Sequence, residues 1–130
     1  MLRESQGKSV VQTFHQQGFT LRIRDDDAAV TVLLSGRSTA REPGKFMSDV
    51  LSHATDLATN ERKPLILDFR EVDYMNSSSI TPLIHVLALA QKSTSKITLI
   101  YRKDLRWQDL SFSALQVFET ADSPIEIRGV

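Results

Sequence analysis

A run of five residues constrains the fold more than any other feature of this sequence. Leu65-Ile66-Leu67-Asp68-Phe69 follows Pro64 directly and is apolar at every position except Asp68. A short apolar run bounded by turn residues predicts a strand that is buried on both faces, which is the environment of a central strand. Such a strand needs other strands beside it and helices packed against it. The run therefore predicts an α/β fold.

Two β-rich segments precede this strand. Residues 19–23 alternate between apolar and polar side chains, and residues 29–34 are largely β-branched or aliphatic. Asp25-Asp26-Asp27 lies between them, and short carboxylates favour turns because they accept hydrogen bonds from nearby backbone N–H groups. The two segments are interpreted as a hairpin. The acidic triplet lacks the glycine and the distal glutamate of an EF-hand, so we predict no calcium site there.

Helical periodicity and further strands complete the predicted order of elements. Helices are predicted from about Gly44 to Ala58, from the serine-rich segment to Ala90, and through Leu110 to Phe118, and strands at 97–101 and 125–127. The predicted order is β-β-α-β-α-β-α-β, a mixed sheet with helices packed against it. We place this domain at residues 19–130 and interpret the polar residues 1–18 as an N-terminal tail.

Composition excludes several classes of function. The chain of 130 residues contains no cysteine, so it holds neither a disulfide scaffold nor a thiolate metal site. Its 16 basic and 16 acidic residues cancel, which argues against a nucleic-acid binder. The three histidines share no metal-ligand spacing, and the scattered glycines form no phosphate loop, so neither metal nor cofactor is predicted. Without a signal peptide or a membrane-spanning segment, the expected location is the cytoplasm, with no membrane insertion.

The most informative segment is Asn76-Ser77-Ser78-Ser79, which lies just before Pro82. Proline is tolerated only in the first turn of a helix, so a helix begins close to Ser79 or Thr81. With Ser79 as the N-cap, Pro82 is the third helical residue, and with Thr81 it is the first. Both choices place the preceding serines at the positive end of the helix, where a phosphate is favourable. Asn and Ser are also ordinary capping residues, so a regulatory and a structural role both stay open.

The strand Leu65–Asp68 and the segment Asn76–Ser79 together resemble the STAS (anti-sigma factor antagonist) family. In that family a buried strand ending in Asp leads to an Asp-Ser-Ser-Gly motif that opens a helix, whereas here Asn76 replaces Asp and Ser79 replaces Gly. The SiaC-type regulatory phosphoproteins have Leu-Asn-Thr-Ser-Ser, which is closer to Met75–Ser79. Alignment to the STAS motif implies Ser78 as the phosphoacceptor, and alignment to the SiaC type implies Ser77. We rank Ser78 first because the STAS match covers more of the chain.

The resemblance implies a module with a STAS-like fold and no catalytic activity of its own. A serine kinase or anti-sigma-type protein would phosphorylate it, a phosphatase would remove the phosphate, and the unmodified form would bind a partner. That partner is an anti-sigma kinase in the first group and a diguanylate cyclase in the second. Asn76 and Ser79 are expected to contact the partner.

Arg106 and Trp107 are further candidates for partner binding. They follow a predicted parallel strand, and the carboxyl ends of such strands meet at one edge of a sheet, which would place them near the serines. Trp and Arg are enriched in protein interfaces, although a Trp after a strand is more often a lid on the core.

Three other functions compete with a phosphorylation switch. A constitutive STAS-like scaffold would never be phosphorylated, and a module that handles a small ligand or a lipid could share the fold. A hydrolase triad of Ser78, His85 and Asp68 is disfavoured because the sequence lacks the Gly-x-Ser-x-Gly nucleophile elbow.

Overall fold

Six strands form one mixed sheet in which spatial order follows sequence order. The computed structural model describes residues 10–42, 44–91 and 96–130. The strands are β1 (Val10–Gln16), β2 (Phe19–Asp25), β3 (Val30–Ser38), β4 (Leu65–Met75), β5 (Ile97–Tyr101) and β6 (Ile125–Gly129). β1, β2 and β3 pair antiparallel, and β3 to β6 pair parallel. The predicted α/β class with a mixed sheet is confirmed.

A helix accompanies each crossover between parallel strands. These are α1 (Gly44–Glu61), α2 (Ile80–Ala90) and α3 (Arg106–Ser113), with 3₁₀ segments at Ser77–Ser79 and Ala114–Phe118. Crossovers of this type are right-handed. Because all three step in the same direction across the sheet, the helices share one face, and their buried side chains join the strands in one hydrophobic cluster.

The predicted burial of β4 on both faces holds only in part. Leu65, Leu67 and Phe69 are fully buried beneath the helices, whereas Ile66 points to the opposite face of the sheet and is half-buried. β4 is a central strand, between β3 and β5, but the helices cover only one of its faces.

The predicted N-terminal tail is corrected by β1. Residues 10–16 pair with β2 in register from Val10 opposite Asp25 to Gln16 opposite Phe19. The boundary at residue 18 therefore falls inside a hairpin. Residues 1–9 of the predicted tail lie outside the described residues.

The predicted third helix is present, but only part of its predicted apolar pattern is buried. Of the residues that suggested it, Leu115 is buried and Phe118 packs against the core, whereas Leu110 is 66% exposed and Gln108 and Phe112 are buried instead. The α-helix gives way to a 3₁₀ segment at Ala114, so a single helical period does not describe this stretch.

β4 extends beyond its neighbour β5 and carries the chain past the edge of the sheet. Its pairing with β5 ends at Asp68, and its register with β3 shifts twice on the way to Met75. The fully buried Gln108 fills the gap that β5 leaves. Its Nε2 donates to the carbonyl oxygens of Phe69 (2.8 Å) and Val72 (2.9 Å), and its Oε1 accepts from the N–H of Arg102 (2.8 Å).

Gly36 of β3 lies closely against Gly18 in the turn between β1 and β2, which generates a stability prediction. Gly36 has φ +90°, and a Cβ there would collide with the carbonyl oxygen of Gly18. We expect Gly36→Ala to lower the free energy of unfolding by about 1–3 kcal/mol, measured by urea denaturation. Gly44→Ala, at the start of α1 with no atom within 4 Å of the added methyl, is the control and should change stability little. Equal stabilities of the two variants would contradict the prediction.

Candidate functional site

The segment Asn76–Ser79, called the serine turn below, connects the overhanging end of β4 to α2. Asn76 has extended backbone, residues 77–79 form one 3₁₀ turn, and the N–H of Ser79 donates to the carbonyl oxygen of Asn76 (3.0 Å). α2 begins at Ile80, so Pro82 is its third residue, as predicted with Ser79 as the N-cap. The Ser79 side chain, however, makes no capping hydrogen bond.

The side chains of Ser79 and Asn76 anchor the serine turn to the end of β3. Ser79 Oγ donates to Asn76 Oδ1 (2.7 Å), and Asn76 Nδ2 donates to the carbonyl oxygen of Ala40 (3.1 Å). The hydroxyls of Ser38 and Ser79 lie 2.7 Å apart. Because Ser79 gives its only proton to Asn76, Ser38 donates to Ser79. Ser38, Ser79 and Asn76 thus form a directional hydrogen-bond chain.

The hydrogen-bond chain of Ser38, Ser79 and Asn76 gives a physical reason for asparagine at position 76. The amide accepts through Oδ1 and donates through Nδ2, and it uses both atoms. An ionised aspartate could accept from Ser79 but could not donate to the Ala40 carbonyl oxygen. The backbone N–H of Asn76 adds a third contact, to the carbonyl oxygen of Ser38 (3.1 Å).

Neighbouring serines of the turn differ completely in exposure. Ser77 and Ser78 are exposed, whereas Ser79 is fully buried. The Ser79 hydroxyl lies inside the protein and is not accessible at the surface, so the partner contact expected of Ser79 stays a prediction. Asn76 is half-buried, and its polar side-chain atoms are engaged within the protein. Both residues hold the turn, and Ser77 and Ser78 present free surface.

Ser78 lines a shallow surface cavity of about 380 Å³. Thr81, Pro82 and His85 of α2 also line it, together with Gly44 and Ser48 of α1 and the oppositely charged neighbours Arg41 and Glu42. Ser78 and Arg41 therefore border the same cavity. Asp68 lines a different cavity, on the helix-free face of the sheet, so the triad of Ser78, His85 and Asp68 is not assembled.

Arg106 and Trp107 begin α3, at the same carboxyl edge of the parallel strands as the serine turn. Trp107 is half-buried and packs against the core, with its ring centroid 5.9 Å from that of Phe112. Its position fits a lid on the core better than a partner anchor. Arg106 is exposed, and neither residue lines the cavity beside Ser78.

Asp68 forms a closely hydrogen-bonded charged pair with Arg70 on the helix-free face. Its carboxylate accepts from Arg70 Nη2 (2.7 Å), from Arg70 Nε (3.0 Å) and from the backbone N–H of Arg70 (3.0 Å). Burial by itself raises the pKa of this carboxyl, but the hydrogen bonds and charge of Arg70 outweigh that effect, so the pKa of Asp68 lies below its ordinary value.

Sequence reasoning missed Ser38, Arg41 and Gln108. The Ser38 hydroxyl meets Ser79 41 positions away, and Gln108 donates to β4 carbonyl oxygens 36 and 39 positions away, separations that local patterns do not reveal. The only signal for Gln108 was a polar residue within an apolar helical pattern. Arg41 lies in a polar segment without periodicity and gave no signal.

Comparison with known proteins rests on structure alone, because no protein-family model and no curated protein matches the sequence significantly. A chain of the complex between the diguanylate cyclase SiaD and its activator SiaC from Pseudomonas aeruginosa matches with a TM-score of 0.65 at 18% identity, covering 92% of this chain and 99% of that one. Apo-SiaC from the same organism matches with a TM-score of 0.62 at 19% identity, covering 92% and 98%. An anti-sigma factor antagonist from Mycobacterium paratuberculosis gives 0.56 at 14% identity, covering 90% and 86%.

The chain has a STAS-like fold similar to that of SiaC. The resemblance that the sequence suggested is thus confirmed at the level of the fold. Within the described residues, no helix has the length and hydropathy to cross a membrane, and no group of three or more His, Asp or Glu could hold a metal ion.

The buried hydrogen-bond chain predicts which serine matters for stability. Ser79→Ala leaves Asn76 Oδ1 without its donor and the Ser38 hydroxyl without its acceptor, which should cost about 1–3 kcal/mol in the free energy of unfolding. Ser77→Ala and Ser78→Ala remove exposed hydroxyls and should each cost less than about 0.5 kcal/mol. Urea denaturation of the three variants measures the difference. If Ser79→Ala lowered the free energy of unfolding no more than Ser77→Ala does, the structural role of the hydrogen-bond chain would be contradicted.

The Asp68–Arg70 pair predicts a pH dependence of stability. Because the folded-state pKa of Asp68 is lowered, its ionised form stabilises the protein above the unfolded-state pKa of about 3.9, and this contribution disappears as the pH falls through the lower folded-state value. Asp68→Asn should therefore be less stable than the natural chain at pH 7, with a difference that shrinks on acidification. Chemical denaturation from pH 7 to pH 2 measures this difference in the free energy of unfolding. In a chain that carries Arg70→Ala, the difference between Asp68 and Asp68→Asn should depend less on pH, because Arg70 is what lowers the pKa of Asp68. A difference in the free energy of unfolding between Asp68→Asn and the natural chain that stays the same at every pH would contradict the prediction.

Proposed function

We propose that this chain is a regulatory module, without catalytic activity of its own, that binds a partner protein through the surface around the serine turn. Phosphorylation of Ser78, or of the adjacent Ser77, switches this binding. The observation that carries the proposal is the contrast within the turn. Two neighbouring hydroxyls are exposed, while Ser79 beneath them is buried and hydrogen-bonded.

Ser78 is the first candidate because of what surrounds it. A phosphoserine carries about −1.5 to −2 charges at neutral pH and three strong acceptor oxygens, which pair well with a guanidinium. Arg41 borders the cavity that Ser78 lines, beside Glu42, and is the cation there that could pair with the phosphate. Ser77 is the second candidate, supported by its exposure and by the resemblance to the SiaC-type motif.

The buried hydrogen bonds beneath the serine turn support a switch in which phosphorylation alters partner binding and leaves the fold of this protein largely unchanged. Asn76 and Ser79 keep the backbone of the turn in place through contacts that involve neither Ser77 nor Ser78. A phosphate on either exposed serine therefore changes the charge of a fixed surface. An interface built for a neutral surface would be repelled or reorganised by that charge.

The fold comparison suggests the class of partner. SiaC is described as the activator of the diguanylate cyclase SiaD, and another similar structure is an anti-sigma factor antagonist. By analogy, we propose a diguanylate cyclase or an anti-sigma-type kinase as the partner of the unmodified form. A serine kinase and a phosphatase would set the phosphorylation state, in the cytoplasm.

Phosphorylation is tested by incubating the purified chain with ATP and an extract of its own host cells, followed by intact-mass measurement and peptide mapping. We expect one phosphate-sized mass increase that maps to Ser78 or Ser77. The increase should be lost in the corresponding alanine variant and kept in Thr59→Ala, an exposed hydroxyl at the other end of α1. Absence of phosphate on both serines would refute the switch.

Binding is tested by pull-down and calorimetry with diguanylate cyclases and anti-sigma-type kinases encoded near the gene. Ser78→Asp or Ser77→Asp should weaken binding at least about tenfold, the equivalent of about 1.4 kcal/mol, while Thr59→Asp should not. Binding that is indifferent to both changes would indicate a constitutive scaffold. A small molecule that co-purifies with the chain in native mass spectrometry would indicate a ligand-handling module.

A further inference from the structure

The two edges of the sheet are built differently. At one edge, β6 has five residues, two of which are the charged Glu126 and Arg128. The N–H of Ile127 is also occupied, because it donates to Glu119 Oε2 (2.8 Å), which lies just beyond the second 3₁₀ segment. Short length, charge and a covering group are the usual means by which proteins prevent an edge from pairing with another strand.

Among the described residues, the opposite edge, β1, shows none of these protections. Its seven residues, Val-Val-Gln-Thr-Phe-His-Gln, include no proline and, with histidine neutral, no charge. Within the described part of the chain β1 pairs only with β2, so the N–H and C=O groups of every second residue point outward from the sheet. Val10 and Val11 are 62% and 52% exposed. Such an edge is a template for an added strand.

A largely apolar cavity of about 300 Å³ lies beside this edge, on the helix side of the sheet. Phe14 of β1 lines it, together with Phe46, Val50, His53 and one charged residue, Asp49, of α1. His53 holds the two elements together through a 2.9 Å hydrogen bond between its Nε2 and Gln12 Oε1. In strand addition, main-chain hydrogen bonds supply affinity, and pockets that receive alternate side chains supply specificity. The β1 edge offers both.

We propose that β1 is a dimerisation edge and that its occupant is the β1 strand of a second copy of this chain. The two strands pair antiparallel, and the two six-stranded sheets become one continuous sheet. Pairing about Thr13 places all seven residues of each strand opposite one another, from Val10 opposite Gln16 to Thr13 opposite Thr13. No charged residues are opposed along this seam.

A second copy fits this edge better than an unrelated strand because β1 is complementary to itself. Each copy supplies the uncharged strand that the other lacks, with Val10 and Val11 of one copy beside Gln16 and His15 of the other. The interface is isologous, so it closes at two copies. The protected β6 edge prevents β1 from pairing head to tail, which would otherwise extend the sheet into a fibre.

The dimer leaves the serine turn free and doubles it. The turn follows β4, three strands from the β1 edge, so the proposed dimerisation is independent of the proposed phosphorylation. Because the two sheets run antiparallel, their carboxyl edges, and with them the two serine turns, face opposite ends of the dimer.

Sedimentation equilibrium tests the proposal when charged residues are introduced at Thr13, which lies opposite Thr13 of the other copy. The natural chain should sediment at twice its 14.6 kDa mass. Thr13→Lys and Thr13→Glu should each be monomeric, because like charges meet at the seam, and an equimolar mixture should again be dimeric. Thr120→Lys, an exposed threonine far from β1, is the matched control and should stay dimeric. Glu at position 13 lies opposite Arg22 of β2, so Thr13→Glu should keep β1 folded, which thermal unfolding verifies.

A cross-link reports the geometry directly because the chain contains no cysteine. Residues opposite one another in an antiparallel pair have Cβ atoms about 4.5–5.5 Å apart, close to the reach of a disulfide. Oxidised Thr13→Cys should migrate as a covalent dimer, and Thr120→Cys should not. A natural chain that is monomeric up to its solubility limit would overturn the proposal. So would a dimer that persists in both Thr13→Lys and Thr13→Glu.

Discussion

The parallel succession of β3 to β6, joined by crossovers of one hand, determines where the helix layer and the serine turn of this molecule lie. From β3 to β6 the strands run parallel and follow one another across the sheet, so the three helices must pack on one face. The hydrophobic core forms beneath them, and the other face keeps its contact with solvent. The segments that follow the parallel strands all emerge at one edge. Arg41 follows β3, the serine turn follows β4 and α3 follows β5, so all three lie at this edge.

Burial separates two roles within a run of chemically identical residues. Three consecutive serines follow Asn76, yet only Ser79 is inside the protein, where its hydroxyl both donates and accepts. A buried hydroxyl costs free energy unless its hydrogen bonds are made, and here they are. The fixed turn then presents Ser77 and Ser78 in one orientation. A modifying enzyme and a binding partner would meet the same surface each time.

The sequence predicted those parts of the structure that local patterning specifies. The β2–β3 hairpin formed around Asp26, whose carboxylate accepts from the N–H groups of Ala28 and Ala29 as its turn chemistry indicated. Pro82 located the start of α2. β1 was missed because an edge strand that is exposed on both sides shows no apolar alternation. The extension of β4 to Met75 was hidden by register shifts, and the hydrogen bonds of Ser38 and Gln108 depend on partners that are distant in sequence.

Gln108 has a consequence for how this domain can vary. One planar amide must accept from the N–H of Arg102 and donate to two carbonyl oxygens of β4, all without access to water. Glutamate would lose both N–H donors, and asparagine is one methylene too short. An apolar residue would leave the N–H of Arg102 and the carbonyl oxygens of Phe69 and Val72 without these hydrogen bonds. Position 108 should therefore tolerate almost no substitution, although it touches neither the serine turn nor the β1 edge. In a family of such domains, a fixed glutamine there would mark the overhanging strand more reliably than the serines themselves.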